Sequence, residues 1–306
     1  MKKDIELNRK EIEQLIKKTK NNLEALNKFG KNSNYIKELS NLAILQIEIE
    51  DYIEAEKNLT VCLNHFKIQR DRLGQAAVFG ILGVLYFKKK KYENSIEYYN
   101  KALKIYTELN QIKEEITCLK GIGNNYIKLS KWEEASDNFL DCSALCSDND
   151  DIYNLLDCLG NLIYIYEKEE NWEVLKELYQ KSLEGFKRLK DNKGIIVTSF
   201  NLGILQKKDK KFNEALNYFE KGMNLALESN YPELIIKGLS YIGEIFFLLG
   251  QIRKAKEKFI RALLLAKEVK AKNAIIQLKI LLKSIGLKDE DIDEELKISN
   301  EINNYK

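Results

Sequence analysis

The apolar residues of this chain recur at a fixed interval. Stepping by 40 residues from Leu82-Gly83 gives Leu42-Ala43, Ile122-Gly123, Leu162-Ile163, Leu202-Gly203 and Ile242-Gly243. Nine positions after each second member stands a large apolar residue: Tyr52, Tyr92, Trp132, Trp172, Phe212 and Ile252. Three further on come Ala55, Ser95, Ala135, Leu175, Ala215 and Ala255. Four beyond those are Leu59, Tyr99, Phe139, Tyr179, Phe219 and Phe259, and three later Cys62, Ala102, Cys142, Ser182, Gly222 and Ala262. Six copies keep this register without insertion or deletion. Spacings of three and four put these positions on one helical face. Small residues recur where two backbones must approach, and large aromatics where they fill the space alongside. Each copy therefore reads as a hairpin, helix A then helix B. The turn between them is short and polar, as at Lys88 to Lys91, Ser130-Lys131, Glu169 to Asn171 and Asp209 to Lys211. At Leu249 to Gln251 the expected C-cap is Gly250.

The expected fold is all-α: a right-handed α-solenoid, or superhelix, of such hairpins with capping helices at both ends. An N-terminal capping helix is expected within 1–35. Six repeats follow at 36–75, 76–115, 116–155, 156–195, 196–235 and 236–275, and a degenerate capping hairpin and tail at 276–306. Residues 4–28 read as one amphipathic helix ending near Gly30. Leu282 and Ile292 keep the register of a seventh copy, while Lys283 and Glu295 fill its small-residue places. Repeat four is irregular, with Ile163 and Leu175 where the others carry small residues, which predicts altered helix packing there.

Small residue, aromatic, Ala, Phe, Ala at these intervals resembles the tetratricopeptide repeat (TPR). The usual repeat is about 34 residues long with a proline near its end; this one departs on both counts. Its period, with Asn41-Leu42-Ala43, Asn161-Leu162 and Asn201-Leu202-Gly203, is similar to the long-repeat subclass. That subclass includes kinesin light chains and mitotic-spindle adaptors with Leu-Gly-Asn repeats. The resemblance covers about residues 36–275. It implies a concave wall lined by helix A, where a peptide segment of a partner protein would bind. The implied peptide-binding residues are Asn41, Lys120, Asn124, Asn161, Tyr164, Lys168, Phe200, Asn201, Ile204, Lys207, Tyr241 and Glu244. Amides both donate to and accept from an extended backbone, and lysines suit acidic side chains or a terminal carboxylate. Chaperone-binding TPR domains clamp such a carboxylate with Lys and Asn on one helix A, Asn on the next and a cationic pair on the third. Lys120, Asn124 and Asn161 match the first three places, but Val197 and Asn201 stand where the cations belong.

Composition narrows the function further. There is one proline, Pro232, and no linker-like stretch. The 50 basic and 47 acidic residues leave a net charge of +3, which gives no general drive toward nucleic acid or membrane surfaces. The basic runs Lys88 to Lys91 and Lys207 to Lys211 lack interleaved aromatics; they read as solvated turns, with nucleic-acid association the weaker alternative. No window reaches the roughly 18 apolar residues of a membrane span. The start, MKKDIELNRKEIEQ, has no apolar core of a secretory signal. With five scattered cysteines, a reducing, cytoplasmic location is expected.

No catalytic constellation is visible. The single histidine, His65, cannot supply a metal pair, and no glycine-rich phosphate loop or His-Glu-x-x-His occurs. The sequence thus predicts no enzyme, no cofactor and no small-molecule substrate. Cys142 and Cys146 lie one turn apart, with Cys118 and Cys158 on neighbouring helices. Four thiolates could hold zinc, yet Cys142 fills the small-residue place and Cys118 and Cys158 are repeat-equivalent. Packing is favoured and no metal is expected. Ser147 to Asp151 lacks the glycine and distal Glu of a calcium loop and reads as a turn that caps the next helix. Two other roles compete with the peptide-binding adaptor. One is a structural subunit docking by its convex face or ends. The other is a bacterial peptide-pheromone sensor, for whose usual N-terminal domain the 35 residues before repeat one are too few.

Overall fold

The computed structural model describes the backbone of residues 9–30 and 32–304, with side chains as far as residue 298. Residues 4–8 of the expected first helix lie outside the described residues. The described residues form fifteen helices and no strand, the all-α hairpin architecture expected from the period. The chain divides into two compact units, residues 1–165 and 166–306.

In the first unit α1 (Arg9–Asn27) buries Ile16 and Leu23 against α2 (Ser33–Glu48). The hairpins that follow are α2 with α3 (Tyr52–Ile68), α4 (Arg72–Lys88) with α5 (Tyr92–Glu108), and α6 (Ile112–Lys128) with α7 (Trp132–Asp148). The division falls inside α8 (Ile152–Lys168). The second unit continues through α9 (Trp172–Leu189), then α10 (Asn192–Lys208) with α11 (Phe212–Glu228), and α12 (Pro232–Leu248) with α13 (Ile252–Glu268). It closes with α14 (Lys272–Ser284) and α15 (Asp289–Asn304).

The recurring small residue is a steric requirement. A Cβ at Gly123 would stand 2.7 Å from the Phe139 ring, and one at Gly203 2.5 Å from Phe219. The aromatic of helix B lies flat on the backbone of helix A, and a larger residue there would lift it off. Ala55, Ala135, Ala215 and Ala255 are fully buried beneath the same contacts. Repeat four breaks the rule. Leu175 fills its small slot and is buried, and the Tyr179 hydroxyl donates to Glu167 Oε1 at 2.8 Å.

The turns repeat at half the expected period. A residue in the left-handed region recurs every 20 positions, from Glu50, Arg70 and Lys90 through Asn230, Gly250 and Lys270, with φ between 52° and 71°. Each closes its helix in one way, as Lys90 shows. Its N–H donates to Phe87 O and that of Lys91 to Tyr86 O, both at 2.9 Å. This double bond is the Schellman cap. Gly250 plays the part expected of it, but the equivalent positions hold Lys, Asn, Ser, Asp, Glu or Arg. Asp151 caps α8, its Oδ1 accepting from Asn154 N at 3.2 Å.

Candidate peptide-binding face

Helix A of each hairpin carries the candidate residues. In the first unit Asn41 is exposed on α2 and donates to Glu38 Oε2 at 3.3 Å. Glu38 also receives Asn22 Nδ2 from α1 at 2.8 Å, so this amide belongs to the contact with α1. Lys120 and Asn124 are half-buried on α6. Lys120 Nζ donates to Asn154 Oδ1 at 3.0 Å and forms an ion pair with Asp157, both on α8. Burial alone would lower its pKa; the bond to the Asp157 carboxylate outweighs this and holds it above the ordinary lysine value. Asn161 turns its Nδ2 back onto Asp157 O, 2.9 Å away in its own helix. Tyr164 is exposed and meets the Trp132 ring edge-on at 6.2 Å. Lys168 is exposed at the end of α8.

In the second unit Phe200 is only 3% exposed. Its ring packs against Phe219 at 6.3 Å and against Tyr241 at 5.6 Å, so it supports the wall and presents no surface to a ligand. Tyr241 stacks on Phe219 at 5.0 Å and leaves one flank outside. Burial, with the Glu244 carboxylate beside it, pushes its phenol above the usual range. Lys207 Nζ is 2.7 Å from Glu244 Oε2, another ion pair linking consecutive A helices. Asn201 and Ile204 line a cleft of about 260 Å³ with Glu167 and Trp172, where Lys208 Nζ stands 3.2 Å over the indole ring.

The larger cleft lies between α12 and α14 and encloses about 800 Å³. Ile236, Tyr241, Leu278 and Leu281 supply apolar lining, and Glu233, Lys237, Glu244, Lys272, Asn273 and Gln277 supply polar groups. An apolar floor with a few polar groups is the usual make-up of a ligand cleft.

Comparison with known proteins fits this geometry. The family profile described as tetratricopeptide repeat matches residues 73–148 and 154–228. These segments are tetratricopeptide repeats. Among curated proteins, the chain is 24% identical over 190 residues to the "Response regulator aspartate phosphatase I" of Bacillus subtilis, covering 62% of this chain and 48% of that protein. The chain spans about half the length of the curated relatives it matches. Two solved structures share the TPR fold. A signal-transduction ATPase with a tetratricopeptide repeat sensor from Pyrococcus horikoshii aligns with a TM-score of 0.64 at 15% identity, over 89% of this chain and 42% of that one. A kinesin-light-chain-type repeat protein from Podosopora anserina aligns with a TM-score of 0.50 at 11% identity, over 66% of this chain and 99% of that one. Among the described residues, no helix is long and apolar enough to cross a membrane.

Two features of the TPR face escaped the sequence. Lys120 and Lys207 are already paired, because a helix A and its successor set residues 37 apart side by side: Lys120 with Asp157, Lys207 with Glu244. Lys237, Lys272, Asn273 and Gln277 were also missed. Asn273 and Gln277 stand one period after Glu233 and Lys237, in the copy that reads as degenerate. The 40-residue register carries that signal, although Lys283 fills the small-residue place of the same copy.

Proposed function

We propose that this chain is a non-enzymatic, cytoplasmic adaptor that holds a peptide segment of a partner protein against its A helices. On this reading residues 36–275 are six repeats, with 1–35 and 276–306 as capping segments. The observation that carries it is the cleft of about 800 Å³ between α12 and α14. An amphipathic segment can bury apolar side chains on Tyr241 and Leu281, above the buried Ile236 and Leu278, while Asn273 and Gln277 are exposed to bond its backbone. Lysines are less available than composition suggests, since an acidic group must compete with Asp157 or Glu244 for Lys120 or Lys207.

The test is capture of a partner by the tagged chain, identified by mass spectrometry and then measured with purified proteins. Lys237, Asn273 and Gln277 are exposed, so changing them leaves the fold intact. Lys237→Glu with Gln277→Ala is expected to weaken binding at least tenfold with thermal unfolding unchanged. Asn124→Ala with Asn161→Ala tests the face of the first unit in the same way. Full-strength binding by both double variants would end the groove reading.

The name of the curated relative supports a second reading, in which the partner is a response regulator and its aspartyl phosphate is hydrolysed. Loss of the phosphoryl group from a phosphorylated response regulator, timed with and without the chain, separates binding from catalysis. The adaptor reading expects no acceleration.

A further inference from the structure

At each junction between a helix B and the next helix A, the 40-residue period assigns three equivalent places. The first repeat fills them with Cys62, Phe66 and Val78, and the second with Ala102, Tyr106 and Cys118. In the third they are Cys142, Cys146 and Cys158, and no other repeat has more than one cysteine there. Packing is therefore satisfied by aromatic, aliphatic or small residues, and it does not require three thiols.

The three sulfurs converge. Their Sγ atoms lie within 4.8 Å of one another, and all three residues are 0% exposed. Cys142 and Cys158, on α7 and α8, are 2.7 Å apart. Cys118, the fourth candidate in the sequence, is buried among Tyr99, Tyr106 and Ile122 and stands outside the trio. A three-coordinate ion with metal–sulfur bonds of about 2.3 Å holds its sulfurs about 4 Å apart. The observed separations reach that value by side-chain shifts of about an ångström.

Donor type points the same way. Binding an ion releases the thiol protons. A sulfur-only set selects soft ions. Zinc in closed sites takes four ligands, and the trio has no fourth His, Asp or Glu within it. We propose that Cys142, Cys146 and Cys158 form a buried three-thiolate site for Cu(I).

The test uses the full chain, reduced and desalted without oxygen. Cu(I) is supplied from a chelator-buffered pool, with Zn(II) in a parallel arm, and X-ray absorption counts the sulfurs on copper. One Cu(I) with three sulfur ligands is expected. The variant C142A/C146A/C158V places at each site a residue found at the same position of another repeat (Ala102, Ala226 and Val78) and keeps Cys62 and Cys118 as controls. It should fold, by circular dichroism, and lose at least a hundredfold in Cu(I) affinity. Unchanged affinity in the folded variant, fewer than three sulfurs on copper, or preference for Zn(II) overturns the proposal. So does a denatured thiol count showing a disulfide in the protein before copper is added. The sulfur count is read on the unaltered protein, so the proposal is tested even if the variant does not fold.

Discussion

Among the described residues, eleven other than glycine sit in the left-handed region, and all but Glu50 and Arg70 lie from Lys90 to Lys270. For an L-residue this conformation costs about 1–2 kcal/mol. Glycine removes that cost but loses about 0.5–1 kcal/mol in chain entropy on folding. Lys90 is exposed and holds a φ of 58°. Lys90→Gly is therefore expected to stabilise the protein by about 0.5–1 kcal/mol, read as a higher urea midpoint at unchanged slope. The reverse change, Gly250→Ala, places a Cβ at φ 71° and should destabilise the protein by about 1 kcal/mol, read as a lower midpoint. If both changes are silent, the caps relax at no cost and the turns do not hold the hairpins in register.

Between elements, ion pairs join some A helices to their successors, as Lys88 to Glu48, Lys120 to Asp157 and Lys207 to Glu244. Lys207 and Glu244 are about three-quarters buried, with side-chain exposures of 26% and 29%. A pair in that setting is worth about 0.5–1 kcal/mol, because desolvation offsets most of the attraction. A double-mutant cycle with Lys207→Met and Glu244→Leu should return a coupling of that size, about 0.5–1 kcal/mol, that shrinks as salt is raised. A larger, salt-insensitive coupling would mean that the pair also fixes the helix spacing. Such pairs mark the limit of what the sequence reveals. The Gly123–Phe139 and Gly203–Phe219 contacts were legible, because both partners recur at fixed spacing and packing admits little else. Lysine and carboxylate occur on every face, so nothing in one dimension tells that Lys120 meets Asp157. Phe200 was read as lining and proved to be buried, because its ring fills the space that Gly222 leaves free on helix B. The cysteine positions were legible, whereas their convergence depends on side-chain direction across two helices.

At the scale of the whole chain, stability in a repeat array is a sum of hairpins and the contacts between neighbours, so the terminal elements matter out of proportion to their size. In the second unit α14 and α15 place Leu278, Leu282, Ile292 and Leu296 in the core shared with Phe259 and Leu263 of α13. Lys256 adds an ion pair to Glu295 at 2.6 Å. Each buried aliphatic side chain contributes roughly 1.5–3 kcal/mol before the entropy of ordering the two helices is subtracted. Removing residues 272–306 leaves the hairpin of α12 and α13 hydrogen-bonded and internally packed, so helix content should fall only by the residues deleted. The apolar faces of both helices are then uncovered, at Ile236 and Leu239 on one side and Phe259 and Leu263 on the other. An exposed apolar patch of that kind finds a second copy. The shortened chain should therefore unfold at a lower temperature, bind a hydrophobic dye, and show a larger mass by light scattering as concentration rises. A shortened chain that stays monomeric with its midpoint unchanged would show that α14 and α15 do not cap the stack, and that their cleft with α12 is maintained for the ligand alone.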